Sequence, residues 1–202
     1  TSHLLYLEES IGYEVRTYAN VERGWWLTID WSRTKQLLES NICAKLQGRI
    51  SLNLTNYRSN NKREPESRFW ISLDKKDIFS ISKLKWLREW KEVREELISN
   101  HDENANIDVY DQAEQILKNR GFYYLGDVEN SLRDYLSIPF DQALQSSNMI
   151  IKGLTMIDRR LGKRRLINIT LPPEEFDFVT MMYKIRCESE GIEPHNHNIN
   201  KD

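Results

Sequence analysis

With 202 residues, 39% of them hydrophobic and 30% charged, the chain can bury a sizeable core, as one large domain or two small lobes. Its 29 basic and 31 acidic residues leave a net charge of −2, which excludes histone-like binding through a global field. Any contact with nucleic acid must come from a local patch. Two cysteines, Cys43 and Cys187, are not a disulfide scaffold and read as buried thiols of a reducing compartment. No leader pattern and no run near the ~18 apolar residues of a membrane span occurs, so the expectation is a cytoplasmic protein with no membrane segment.

In residues 1–23, Tyr13, Val15 and Thr17 alternate with Glu14 and Arg16, as an edge strand or a loose extension would. Trp25-Trp26-Leu27-Thr28-Ile29 is aromatic and β-branched enough for a strand, and Ser32 suits the N-cap of a helix over 33–46 that gathers Leu37, Leu38, Ile42 and Cys43 before Gly48. Ile50, Leu52 and Leu54 alternate with polar residues, as do Phe69, Ile71 and Leu73. Asp74-Lys75-Lys76-Asp77 then turns the chain into Ile78-Phe79-Ser80-Ile81. Trp86, Trp90, Val93 and Leu97 fall on one stripe of a helix over 84–99, with opposite charges on its other side.

Polar residues 101–106 mark the boundary between an α+β lobe (about 1–100) and a helical lobe (101–191), with 192–202 as a tail. Helices are predicted over 109–119, stopped by Gly121, from Asp127 to Leu136, and from Pro139 to Gln145. Phe122 to Leu125 reads as a short extended piece. Asn148 and its neighbours cap a helix over 149–161, with Ile150, Leu154, Ile157 and Leu161 inward, Lys152, Met156 and Arg159 outward, and Gly162 as its C-terminal residue. After Pro172-Pro173, Glu174 and Glu175 form the acidic first turn of a last helix. It is apolar on two sides, Phe176, Val179, Tyr183 and Cys187 on one and Phe178, Met181, Met182 and Ile185 on the other. Such a helix is central to its lobe or half in an interface. Gly191 ends it.

Trp31-Ser32 opening a helix, Phe69-Trp70-Ile71 before a turn, Asp158-Arg159-Arg160-Leu161-Gly162-Lys163-Arg164-Arg165-Leu166, and Arg186-Cys187-Glu188-Ser189-Glu190-Gly191 together resemble a family of small bacterial conserved hypothetical proteins over about residues 30–191. The resemblance implies a bacterial cytoplasmic protein and carries over no catalytic residues. The segment before Trp31 is extra to its pattern.

Charge is concentrated in the run 159–165, where five basic residues fall within seven positions. Arg159, Lys163, Arg164 and Arg165, with Lys152 projecting beside Arg159, are the candidate contacts for phosphate or nucleic-acid backbone. The competing reading is structural: cations are favoured at a helix C-terminus, and nearby carboxylates would pair with them. Trp70 is the second candidate contact, because it alternates out of phase with the apolar residues of its strand and has Lys62, Arg63 and Arg68 nearby. Arg94 and His101 have the spacing of an acid–base pair on a scissile phosphate, but no supporting motif follows. His195 and His197 are too few for a metal site, and no phosphate loop or nucleophile elbow is present. These residues describe an α+β protein with no cofactor, a non-enzymatic binding module for an unknown protein partner or for its own copy through the Phe178, Met181, Met182 and Ile185 face. The alternative is a nucleic-acid- or phosphate-binding protein, an enzyme included, that uses the basic run.

Overall fold

A computed structural model describes residues 30–55, 67–99 and 109–194. The chain divides into two units at Asp30/Trp31, and the described residues from 31 on lie in the second. The strand expected at 25–29, Lys62, Arg63, the 101–106 boundary, His101, His195 and His197 all fall outside the described residues.

The unit is α+β. Helix α1 (Trp31–Ser40) leads to a three-stranded antiparallel sheet in the order β1 (Ile50–Thr55), β2 (Arg68–Leu73), β3 (Lys76–Ser82). The β2–β3 turn is only Asp74-Lys75, tighter than the four residues expected. Both have positive φ, 49° and 69°, the tight hairpin geometry that matches strand twist. Asp74 is held in that strained conformation by its amide bond to the Arg49 carbonyl and by a two-pronged contact with the Arg49 guanidinium. At the outer edge of β1, the Leu52 amide donates to Glu39 Oε1 of α1 (3.0 Å), which blunts an edge otherwise open to pairing.

Among the described residues seven further helices follow: α2 (Lys83–Ser99), α3 (Val109–Asn119), α4 (Leu125–Ser137), α5 (Phe140–Leu144), α6 (Met149–Met156), α7 (Lys163–Ile167) and α8 (Asp177–Glu190). The stripe on α2 buries Trp86, Trp90 and Val93. Trp86 meets Tyr124, and Trp90 meets Tyr110 of α3, so α2 and α3 close on each other through aromatic rings. The inner sheet face (Ile50, Leu52, Phe69, Ile71, Ile81) joins α4, α6 and α8 in one core.

Several boundaries depart from local pattern. Helix α1 starts at Trp31, placing Ser32 inside its first turn, and stops at Ser40 rather than 46, because Ile42 leaves the helix to form a β-bridge with Asp158. Residues 122–124 are irregular, but Leu125 already begins α4 behind a Tyr124 N-cap. Helix α6 stops at Met156 for the reason α1 stops early, and Met156 is buried rather than outward. The Asn148 side chain caps α6 as expected, accepting from the Ile150 and Ile151 amides. Glu174 and Glu175 precede α8, whose first helical residue is Asp177.

Helix α8 is central. Phe178 and Met182 are buried, as are Val179, Tyr183 and Cys187 on its other side, while Met181 and Ile185 pack half-buried on the same core. The second apolar face thus packs on the chain's own core, Phe178 and Met182 fully and Met181 and Ile185 in part. Phe178 stacks at 4.1 Å on Phe79 of the sheet and fits where α6 carries Gly153: a Cβ there would lie 2.3 Å from the Phe178 ring. Gly153→Ala should therefore destabilise the fold by about 3 kcal/mol, the upper end of overpacking costs. The denaturation midpoint measures this, and adding Phe178→Leu should restore part of the loss.

Candidate functional site

The basic run is built on one buried carboxylate. Asp158, fully buried, accepts from the Tyr135 hydroxyl of α4 (2.5 Å), from the Arg160 amide (2.7 Å) and from the Arg160 guanidinium (2.7–3.1 Å). Arg160 also lies over the Tyr135 and Phe140 rings. From α8, Arg186 donates to the carbonyls of Ile157, Asp158 and Leu161 (3.1–3.4 Å) and pairs with Glu190. On the remaining side, the Cys43 amide donates to the Ile157 carbonyl and the Arg159 amide to the Asn41 carbonyl. Residues 157–161 are thereby tied to three other parts of the chain.

Gly162 does not end α6. It lies six residues beyond Met156, with φ −67°, and is the N-cap of the five-residue α7. Lys163 thus opens a helix, while Arg164 and Arg165 fall in the last turn of its five residues, the end at which backbone dipoles favour cations. Capping of the carbonyls behind α6 falls instead to Arg186, which the sequence did not single out. Its signal was a lone arginine between two apolar faces of α8.

The predicted contact residues divide by their partners. Lys152 is drawn in against the nearly buried Glu175 carboxylate, which also accepts from the Phe176 amide, so it does not join the others. Arg165 pairs with Asp141 (2.8 Å) and lies near Phe140. Both members of that pair are more than half exposed, which limits its worth to about 0–1 kcal/mol. Arg159, Lys163 and Arg164 are exposed and have no side-chain partner among the described residues. They are three exposed cations between positions 159 and 164, Arg159 on the tied segment and Lys163 and Arg164 on α7 just after it.

Trp70 lies on the sheet face away from the core, half-buried between its cross-strand neighbours Asn53 and Ser80. The Arg68 guanidinium lies 4.2 Å over its ring and reaches Asp77. Arg94, the other half of the proposed acid–base spacing, is inserted between Trp90 and Tyr110 and donates to the Tyr110 hydroxyl. A hollow of about 340 Å³ between α3 and α4 is lined in part by Tyr123, whose Oη accepts from the Met149 amide, and by Asn148, which donates to Ser131. Among the described residues there is no metal-binding cluster of His, Cys, Asp or Glu, and no helix long and apolar enough to cross a membrane.

Burial, then the neighbouring Asp158 charge and hydrogen bond, push the Tyr135 phenol well above its ordinary value of 10.0; burial likewise raises Tyr123. The folded chain holds these protons more tightly than the unfolded one. Their contribution is complete below about pH 10 and is lost as pH rises further. Urea titrations should show stability falling above that pH, with a shallower fall in Tyr135→Phe. At neutral pH, Tyr135→Phe should cost about 1.5–3 kcal/mol, the range for hydrogen bonds to charged groups. Asp158→Ala should cost about 3 kcal/mol, the lower end for broken buried pairs, because the partly exposed Arg160 can rehydrate.

Residues 30–187 match the model of the SF0329 protein family. Neither the curated proteins nor the solved structures give a match. With most of its length inside the family match, including Asp158, Tyr135, Arg160 and Arg186, the chain belongs to the SF0329 protein family.

Proposed function

We propose that this protein is a non-enzymatic binding module whose ridge of Arg159, Lys163 and Arg164 takes an anionic partner, the phosphate backbone of a nucleic acid. The observation that carries this is the set of three exposed cations, unpaired among the described residues, on and just after a segment fixed by a buried ion pair. Long basic side chains on a fixed backbone lose less freedom on binding than they would on a loose loop. Nearby chemistry favours binding over catalysis: the Asp158 carboxylate is saturated by Tyr135 and Arg160, and the Tyr135 phenol keeps its proton, so neither is a free acid or base. The reading includes a bacterial cytoplasmic setting, supported by the two free, buried cysteines.

Three phosphate contacts give a defined salt dependence. Affinity for a generic DNA duplex should fall about 40-fold between ~50 and ~200 mM salt, and about 20-fold for a single strand. The combined Arg159→Ala, Lys163→Ala and Arg164→Ala variant should remove that dependence without changing the melting temperature. Fluorescence anisotropy with labelled DNA and RNA oligonucleotides checks both. The reading fails if wild-type protein does not bind at ~50 mM salt, or if the triple variant binds as well.

A further inference from the structure

We infer that the outer face of the sheet is a second binding site, for a neutral polyhydroxylated ligand of the sugar class seated against Trp70. The register places Ser51 opposite Ser72, Asn53 opposite Trp70, and Trp70 opposite Ser80. Side chains this small around one indole leave an open basin of about 590 Å³, walled chiefly by Ser51, Asn53, Trp70, Ser72 and Asp77, with Arg49 at its rim. That volume falls within the ~300–1,000 Å³ typical of small-molecule sites.

Charge decides the ligand class. The basin lining contains two cations, Arg49 and Lys75, and two anions, Asp74 and Asp77. Arg49 and Asp74 are bound to each other, and Asp77 accepts from Ser72 (2.9 Å) and pairs with Arg68. Lys35, beside the wall, pairs in turn with Glu39, so a phosphate chain finds fewer unpaired cations here than at Arg159, Lys163 and Arg164, whereas a neutral ligand is not penalised. The wall carries hydroxyls, an amide and a carboxylate beside one aromatic ring; each has an internal partner and keeps further hydrogen-bonding positions, such as the second Asn53 amide hydrogen beside the one given to the Ser51 carbonyl. A sugar presents the matching set, hydroxyls around its rim and an apolar C–H face.

The wall is also held in place before any ligand arrives. Lys35 Nζ donates to Ser51 Oγ (3.0 Å) and Asn53 Oδ1 (3.1 Å), and Ser51 Oγ contacts Glu39. Helix α1 thus fixes the β1 side of the basin. Arg68 stacks on the Trp70 ring without forming part of the basin wall. Preset polar groups and a fixed ring reduce the ordering cost of binding. Apart from the Arg68 guanidinium over its ring, Trp70 has only polar cross-strand neighbours on this face.

The test is a titration of the ¹⁵N-labelled full chain with a panel of neutral di- and trisaccharides of gluco, manno, galacto and N-acetylhexosamine type. Binding of at least one class is expected, with shifts centred on the Trp70 indole and the amides of Ser51, Asn53 and Ser72. Affinity should be unchanged between ~50 and ~200 mM salt, in contrast to backbone binding. Trp70→Ala should weaken binding tenfold or more, Asn53→Ala should weaken it measurably, and the triple ridge variant should leave it unchanged, which separates this site from the ridge. The inference is overturned if no sugar of the panel shifts the wild-type spectrum at millimolar concentration. It is equally overturned if the shifts fall elsewhere, or if only anionic ligands bind and do so in a salt-dependent way. Shift mapping on the wild-type chain keeps the test decisive even where a variant folds poorly.

Discussion

Asp158 is the constraint on which the rest of the structure depends. A fully buried carboxylate is costly unless its charge and lone pairs are matched, and here Tyr135, the Arg160 amide and the Arg160 guanidinium match it. Each comes with a structural consequence. Tyr135 ties the segment to α4, the amide bond closes a tight local turn, and the guanidinium is drawn back over Phe140, leaving the remaining basic residues to face solvent. Arg186, almost completely buried, binds the carbonyls of the same segment and so secures α8 to it.

This network explains why two helices end early. Residues 41–43 and 157–159 pair as a short bridge. Neither segment can do so while helical, so α1 and α6 both stop short of their sequence periodicity. The backbone hydrogen bonds given up by each helix are replaced by bonds to the other, which satisfies buried groups that would otherwise be orphaned. The bridge also delivers the chain into β1 and hence sets the placement of the sheet relative to α4 and α6.

What was legible in the sequence follows from that distinction. Helices α2 and α3 and the β2–β3 hairpin are specified by neighbours in sequence: a tryptophan stripe, Gly121 after α3, and alternation about a turn. They appear close to where periodicity puts them. The ends of α1 and α6 are specified by residues more than a hundred positions away, and no local pattern reports such a contact. Gly162 misled for a related reason. Glycine after an apolar helix ordinarily marks its end, but here the chain has already left α6 and turned around Asp158. The two faces of α8 were legible as a pattern. Only packing shows that both contribute to the core, Met181 and Ile185 in part and Phe178 fully in the space that Gly153 opens. Trp70 was legible as out of phase, whereas the hollow beside it depends on the cross-strand register with Asn53 and Ser80.

The separation of the two surfaces follows from how charge is settled in a chain with a net charge of −2. Around the sheet, each lining carboxylate has a guanidinium partner, Arg49 for Asp74 and Arg68 for Asp77, so the field there is short-ranged and close to neutral. Around residues 157–165 the carboxylates are used differently. Asp158 is consumed inside the protein by Arg160, Glu175 by Lys152, and Asp141 by Arg165. Arg159, Lys163 and Arg164 have no such acid partner among the described residues. A balanced overall composition therefore does not forbid exposed cations that lack an acid partner.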